Sequence, residues 1–510
     1  MLARQLLQAL IQAKTGLDSF TVEIPKSTQH GDYATNAAFI LAKQRGENPA
    51  ALAKQLASEL ASKEIEAYAI GPFINFKLTD QALTAEVMNI GDDYGASNYG
   101  NDRKILLEFV SANPTGPLHI GHGRWAVIGD VLARMQKRLG YAASTEFYIN
   151  DAGNQINNLR LSVEAVRNGQ EIPADGYHGA YIKDLAVKTE DPVEVMLKEQ
   201  QVVLAKLGVT FDTWFREKTL HEAGEVQKVR DYLDVYEKDG ALWLKTMDHG
   251  DDKDRVLIKA TGEPTYFAAD IAYHHNKLER GFKELINIWG ADHHGYVARM
   301  QIGLKTELDK HQAVLKIIIG QLVNLFRNGE PVRMSKRTGE MITLDEVMEE
   351  IGVDATRYFM ARYSPDTAID FDLELAKKQS QDNPVFYVQY AHARICSILR
   401  NAVEQGIDVN TIAGDHTINL IADPHERALA KKLVDFPEEL IMCTQNYQPY
   451  QLAAFAEELA ALFHAFYHNC RVISPDQELT KKRLVFVQKT KTVLGIILEK
   501  LLGIKAPERM

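Results

Sequence analysis

Seventeen consecutive residues constrain this chain more than any other stretch: Glu108-Phe-Val-Ser-Ala-Asn-Pro-Thr-Gly-Pro-Leu-His-Ile-Gly-His-Gly-Arg124. Before them, Ile105-Leu106-Leu107 begins an apolar run of the length of a buried parallel strand. After them, Ile128, Val131, Leu132, Met135 and Leu139 recur at helical spacing, and Gly140 closes the helix. The stretch therefore reads as strand, tight loop, helix. Pro114 and Pro117 stiffen the loop on either side of Gly116. His119 and His122 fall on the first helical turn at i and i+3, facing the same way, with Gly121 leaving room for a ligand between them. Open backbone N–H groups and the positive dipole end make such a tip an anion site, and a phosphate chain is its natural guest. A strand–loop–helix alone would suit any nucleotide fold, and a histidine pair could equally be a metal site or surface.

The chain has 510 residues, enough for three or four domains. Its 45% hydrophobic and 25% charged content are those of an ordinary globular protein. No stretch approaches the ~18 apolar residues of a membrane span, and the start, Met1-Leu-Ala-Arg-Gln-Leu-Leu, lacks a signal-peptide core. The three cysteines, Cys396, Cys443 and Cys470, lie far apart. That argues against a disulfide framework or a cysteine-rich zinc site and fits a cytoplasmic location. A net charge of −11 argues against binding nucleic acid through bulk charge, while leaving local basic faces open. One candidate is the end of the chain, where Lys481, Lys482, Arg483, Lys489, Lys491, Lys500, Lys505 and Arg509 face only Glu499 and Glu508. A solvated helix face is the equal alternative.

Three regions follow from the pattern. Residues 1–100 read as an N-terminal α+β domain: a helix through Leu10, a strand at Phe20–Ile24, a helix from Gly31, a helix capped by Asn48-Pro49, and a strand at Pro72–Leu78. Residues 101–375 alternate strands and helices, the mark of a Rossmann-like, doubly wound parallel sheet, interrupted by a largely helical insertion at about 155–250. Within it a second strand ends at Tyr148-Ile-Asn-Asp, and strands resume at Arg255–Lys259, Leu285–Trp289 and Leu315–Ile319. Residues 376–510 are long amphipathic helices, an all-α bundle. The expected class is α/β overall.

Ligands of open parallel sheets lie beyond the carboxyl ends of the strands. The first strand delivers Glu108, Ser111 and Asn113, then His119 and His122. The strand ending at Trp289 delivers Gly290-Ala-Asp-His-His-Gly, where Gly290 allows close approach and Asp292 suits the hydroxyls of a ribose. The adjacent His293 and His294 are a poor metal pair, and no metal ligand is assigned. A third element, Val332-Arg-Met-Ser-Lys-Arg-Thr-Gly-Glu340, precedes the capping box Thr343-Leu-Asp-Glu346. A loop with Ser335 and Lys336 beside a helix start suits a lid that clamps phosphates. These groups describe attack of a carboxylate on an α-phosphorus with pyrophosphate leaving, stabilised by preorganised donors and cations. Mg²⁺ would bridge the phosphates. Glu108 and Asp270, with Tyr266 one helical turn before Asp270, make an anionic, aromatic-walled pocket that fits a planar guanidinium.

His119-Ile-Gly-His122 resembles the "HIGH" signature of class I aminoacyl-tRNA synthetases, and Arg333-Met-Ser-Lys-Arg337 resembles their "KMSKS" loop, with Arg333 and Arg337 as departures. The departures bear on how that loop holds ATP. The stretch from Glu108 to Arg124, Tyr148-Ile-Asn-Asp-Ala-Gly-Asn-Gln155, Pro264-Thr-Tyr-Phe-Ala-Ala-Asp-Ile-Ala-Tyr273 and Asn383–Arg394 are similar to bacterial-type arginyl-tRNA synthetases, and Gly31–Phe39 resembles that family's extra N-terminal domain. The resemblance implies an ATP-dependent arginine–tRNA ligase that forms arginyl-adenylate and transfers arginine to tRNA(Arg). It implies arginine at Glu108, Ser111, Asn113, Tyr266, Asp270 and His294. It implies ATP at His119, Gly121, His122, Gly290, Asp292, Met334, Ser335 and Lys336, with His119, His122 and Lys336 as the catalytic groups. It also implies an N-terminal domain at the outer corner of tRNA, a C-terminal anticodon-binding bundle, and activation that waits for tRNA. A monomer is the default expectation.

Rival readings make different demands. Ile, Val and Leu enzymes need a larger editing insertion, Cys enzymes need cysteine ligands to zinc, and Glu and Gln enzymes need a cationic pocket. A non-catalytic RNA-binding paralogue has no physical reason to keep His119, His122 and Lys336 together, and a small nucleotidyltransferase has no use for two extra domains.

Overall fold

The computed structural model describes residues 3–25, 27–151, 153–332, 342–408 and 419–510. Strands β1 (Val22–Glu23), β2 (Tyr33–Thr35), β3 (Ile65–Ile70) and β4 (Phe73–Leu78) form an antiparallel sheet of order β1-β2-β4-β3. The helix predicted from Gly31 begins only at Ala37, because Tyr33, Ala34 and Thr35 are buried and pair with β4. Asn48 caps the helix Pro49–Leu60 by accepting the Ala51 N–H, as its position before a proline at N1 predicts.

Next in the chain come β5 (Lys104–Glu108), β6 (Ala142–Ile149), β7 (Thr213–Arg216), β8 (Val235–Lys238), β9 (Ala241–Leu244), β10 (Arg255–Ile258), β11 (Glu284–Gly290) and β12 (Val314–Gly320). The central sheet has the order β12-β11-β5-β6-β7, and every pairing in it is parallel. Chain direction across the sheet reverses between β5 and β11, the doubly wound switch point that opens a crevice at the strands' carboxyl ends. Two expectations are corrected here. The span 155–250 is not helical throughout: β7 lies inside it and forms the sheet's edge, with Trp214 stacked on Phe147 at 4.5 Å. The predicted strand at Arg255 does not join the parallel sheet; β10 pairs antiparallel with β9, and β9 with β8.

The helix Ile120–Arg138 follows β5 and lies on the sheet. Gly129 makes this possible, since a Cβ there would stand 2.3 Å from the ring of the buried Phe109. A fourth sheet, after the N-terminal, the central and the β8–β10 sheets, holds β13 (Val323–Arg327), β14 (Glu330–Pro331) and β15 (Ile369–Asp372). It is tied to the helix by Arg124, fully buried, which donates to the carbonyls of Gln321 and Leu322 through one terminal nitrogen and of Ser364 and Thr367 through the other.

The C-terminal region is helical as predicted, with long helices Pro384–Glu404, Pro424–Gln445, Tyr450–Asn469 and Gln477–Gly495. Arg357, also fully buried, joins it to the rest by donating to the carbonyls of Leu502 and Leu207 and to Asp130. Part of the basic run at the chain's end is tied up within the protein, while Lys500, Lys505 and Arg509 are exposed. Lys489 donates to the carbonyls of Met88 and Ile90, Arg483 pairs with the buried Glu426, and Lys491 pairs with Glu508. Among the described residues no helix is long and apolar enough to cross a membrane.

Candidate active site

A cleft of about 1030 Å³ opens at the switch point. Of the residues singled out from the sequence, Glu108, Ser111, Asn113, His119, His122, Asp270, Gly290 and Asp292 line it. Arg333, Met334, Ser335, Lys336 and Arg337 lie outside the described residues.

The backbone leaves β5 through a strained turn. Val110 and Ser111 have φ of 68° and 40°, left-handed values that a β-branched residue such as valine rarely adopts. The turn folds Ser111 back, so its hydroxyl donates to Glu108 Oε1 at 3.0 Å and accepts the Tyr148 N–H at 3.2 Å. The loop beyond is held from outside: Gln200 donates to the carbonyls of Asn113 and Gly116, and the Tyr181 hydroxyl to that of Thr115. Asn113 is exposed and donates to Gln155 Oε1 at 2.6 Å.

The two histidines cap their own helix. His119 Nδ1 accepts the N–H groups of Gly121 and His122, and His122 Nδ1 accepts the N–H of His119. The rings stack with centroids 3.7 Å apart, and Trp125 stands edge-on to both. Three backbone donors at the helix start, expected to be open for an anion, are therefore turned onto imidazole nitrogens. Because each Nδ1 accepts a backbone N–H, each neutral ring carries its proton on Nε2. The glycines serve this packing. A Cβ on Gly121 would sit 3.0 Å from the His119 ring, and one on Gly290 would sit 2.6 Å from Asp292 Oδ1 and 3.0 Å from Trp125. Gly290 makes room for the protein's own side chains, where close ligand approach was expected. The Thr343–Glu346 capping box forms, and its helix start meets the loop before His119, Leu344 N–H donating to Leu118 O.

The floor of the cleft is a buried polar network. Lys277 Nζ lies 2.6 Å from Glu108 Oε2 and 3.2 Å from Asn287 Oδ1, and 4.2 Å above the Tyr273 ring. Asn287 pairs with His274 Nε2, and His274 Nδ1 with the carbonyl of Asp270. Burial, with Lys277 nearby, drives His274 well below the ordinary histidine range, so it is neutral. Asp270 differs from Glu108. It accepts the Tyr296 hydroxyl at 2.7 Å, but among the described residues no cationic side chain pairs with it. Burial first, then the charges of Glu108 and Glu217, push its pKa up to about 7 against the opposing pull of Tyr296 and Lys277.

Among the described residues, three predicted ones do not line the cleft: Gly121, which lies against the His119 ring, and Tyr266 and His294. Tyr266 opens the helix Tyr266–Glu279 and is 74% exposed, outside the cleft lining; the aromatic wall beside Asp270 comes from Tyr296, Tyr148 and Tyr273. His294 points to solvent on the turn Ala291–Tyr296, and His293 reaches the lining in its place. Lys277, His274, Asn287 and Tyr296 were missed. Only Tyr296 carried a usable signal, as the aromatic next to Asp292-His-His-Gly.

Comparison with known proteins gives a consistent answer. The chain matches the family models of the arginyl tRNA synthetase N-terminal domain over residues 1–78, the class I (R) tRNA synthetase catalytic domain over 85–173, and the DALR anticodon-binding domain over 388–510. It is 45% identical to an arginine–tRNA ligase of Moorella thermoacetica, covering 97% of this chain and 94% of that one. Among solved structures it is similar to arginyl-tRNA synthetase of Thermus thermophilus, with a TM-score of 0.82 and 25% identity over the whole of both chains. It is also similar to a putative arginyl-tRNA synthetase of Campylobacter jejuni, with a TM-score of 0.75 and 32% identity over 85% of this chain and all of that one.

Proposed function

Because the chain belongs to the arginyl-tRNA synthetase family and is an arginine–tRNA ligase using arginine, ATP and tRNA(Arg), we propose how its cleft seats those substrates. Asp270 takes the guanidinium, with Tyr296 fixing the carboxylate's orientation and Glu108 adding negative potential beside it. The single observation carrying this reading is that Asp270 lacks a cation while its neighbour Glu108 already has Lys277. A guanidinium supplies the missing charge in bidentate form. Asn113 and Ser111 hold the rest of the amino acid. Tyr266 and His294 are left out of this seat because they stand away from the cleft.

ATP lies on the other side, its phosphates toward the Nε2–H groups of His119 and His122 and its ribose toward Asp292. The arginine carboxylate oxygen attacks the α-phosphorus, the bond to pyrophosphate breaks, and pyrophosphate carries the electron pair away. The two imidazoles donate to oxygens on which charge grows, and each such donor typically contributes ~10²–10³ in rate. Lys336 is the expected third donor. A ribose hydroxyl of the tRNA end then attacks the adenylate carbonyl, and AMP leaves. Among the described residues no group of three metal-ligating side chains lines the cleft. Mg²⁺, when bound with ATP, would offset charge on the triphosphate, and Asp292 is a carboxylate of the cleft lining that could face it. Residues 1–100 meet the outer corner of the tRNA and residues 376–510 its anticodon arm, with 101–375 as the catalytic unit. The protein works as a cytoplasmic monomer, and activation awaits bound tRNA.

ATP–pyrophosphate exchange measured with each amino acid, with and without bulk tRNA, tests the reading. Arginine-dependent exchange that appears only with tRNA is expected. Exchange with another amino acid would overturn the pocket assignment, and exchange without tRNA would overturn the coupling.

A further inference from the structure

Behind the cleft, two helices bring together a second set of ligand atoms. His275 and Glu279 are four residues apart on the helix Tyr266–Glu279, and Glu307 and His311 are four apart on the helix Lys305–His311. That spacing puts each pair on one helix face. One ligand atom from each of His275, Glu279 and His311 lies within 4.8 Å of the other two. His275 Nδ1 is 2.7 Å from Oε2 of Glu307, a fully buried carboxylate whose other oxygen is 3.4 Å from Lys310 Nζ. Tyr232 stacks on the His275 ring at 3.8 Å and fixes its plane.

His311 Nε2 is the telling atom. It is buried without a hydrogen-bond partner among the described residues, although Glu279 Oε1 is 3.5 Å away and Glu307 Oε2 3.6 Å. Those separations are long for hydrogen bonds. The one between the two proposed ligands, His311 and Glu279, is close to the roughly 3.4 Å between two ligands that each stand about 2.0–2.1 Å from a tetrahedral ion. We propose that His275, Glu279 and His311 bind a divalent first-row transition ion of the zinc type, with Glu307, whose Oε2 lies 2.7 Å from His275 Nδ1 and 3.6 Å from His311 Nε2, holding the two imidazoles together. Two imidazoles and a carboxylate suit such an ion better than Mg²⁺ or Ca²⁺. A buried carboxylate hydrogen-bonded to a metal-binding histidine is a common support for such a site. The ligands form two helical pairs separated in the chain, so no local spacing in the sequence announces them. The ion pins the helix that carries Asp270, His274 and Lys277 to its neighbour.

The test uses the full-length chain, stripped with chelator, in a Cys470→Ser background. That change removes the other candidate trio, Asp423, His425 and Cys470. Titration with CoCl₂ should give a visible d–d band saturating at one equivalent and displaced by ZnCl₂. His311→Ala should abolish the band, Glu279→Gln should weaken binding at least tenfold, and Glu307→Gln roughly tenfold to a hundredfold. Absence of a band in the parent chain overturns the proposal outright, whatever the folding of the variants. So does a band that survives replacement of both His275 and His311.

Discussion

Lys277 Nζ and Glu108 Oε2 stand 2.6 Å apart, both side chains buried, so the carboxylate at the end of the first strand carries its own counter-ion before any substrate arrives. Removing one partner of such a pair strands the other charge in a low-dielectric interior. Lys277→Met is therefore expected to cost about 3–5 kcal/mol of stability. The denaturant midpoint of the variant would show it. A change under 1 kcal/mol would mean that the pair is solvated in solution.

Asp270 gives a pH signature. With its pKa near 7, the carboxyl is largely protonated at pH 6 and largely ionised at pH 8. The guanidinium needs the ionised form, so KM for arginine should fall roughly tenfold across that interval while KM for ATP holds steady. Stability runs the other way. The folded state retains a proton that the unfolded carboxyl loses near its ordinary pKa, so this group's contribution is full below about pH 4 and is lost as pH rises through 7. A flat arginine KM between pH 6 and 8 would count against the assigned role.

Asp270→Asn keeps the shape and removes the charge. The arginine KM should rise by ~10²–10³, matching the ~2–5 kcal/mol that a buried charge partner typically contributes, with ATP little affected. Equal losses for both substrates, measured in pyrophosphate exchange with tRNA present, would remove Asp270 from the guanidinium seat.

How far this was visible in the sequence depended on whether the signal was local. The Leu-rich run into Glu108, the helix stripe from Ile128 to Leu139 and the Thr343 capping box are short-range patterns, and each formed where predicted. Lys277 was invisible because a lysine late in a helix reads as solvent-facing; only the sheet behind it, with Glu108 and Asn287, makes it a buried cation. Tyr266 misled for the opposite reason, since its i, i+4 relation to Asp270 holds on the helix yet the helix start faces outward. Strands β2 and β7 have three and four residues and take their identity from partners distant in the chain.

His119 has two jobs that one substitution can separate. Asparagine caps helices well but cannot place an Nε2–H donor. His119→Asn should keep stability within a few tenths of a kcal/mol, whereas His119→Ala loses about 1 kcal/mol. Both should lose ~10²–10³ in the rate of adenylate formation. Thermal melts beside single-turnover rates make the comparison. Normal rates in the asparagine variant would confine His119 to capping.

Arg124→Lys should be costly despite its conserved charge, because an ammonium lacks the planar fork that reaches four carbonyls. A loss on the order of 3 kcal/mol is expected in chemical denaturation. A near-neutral effect would show that these carbonyls find other partners.

That guanidinium sits two residues past His122, on the same helix. It works as a rivet between the two halves of the nucleotide fold: the halves can flex on either side of it, but they cannot slide past each other at that point. The spacing between the imidazoles and the β13–β15 sheet is thus set by the protein itself, and no substrate has to establish it.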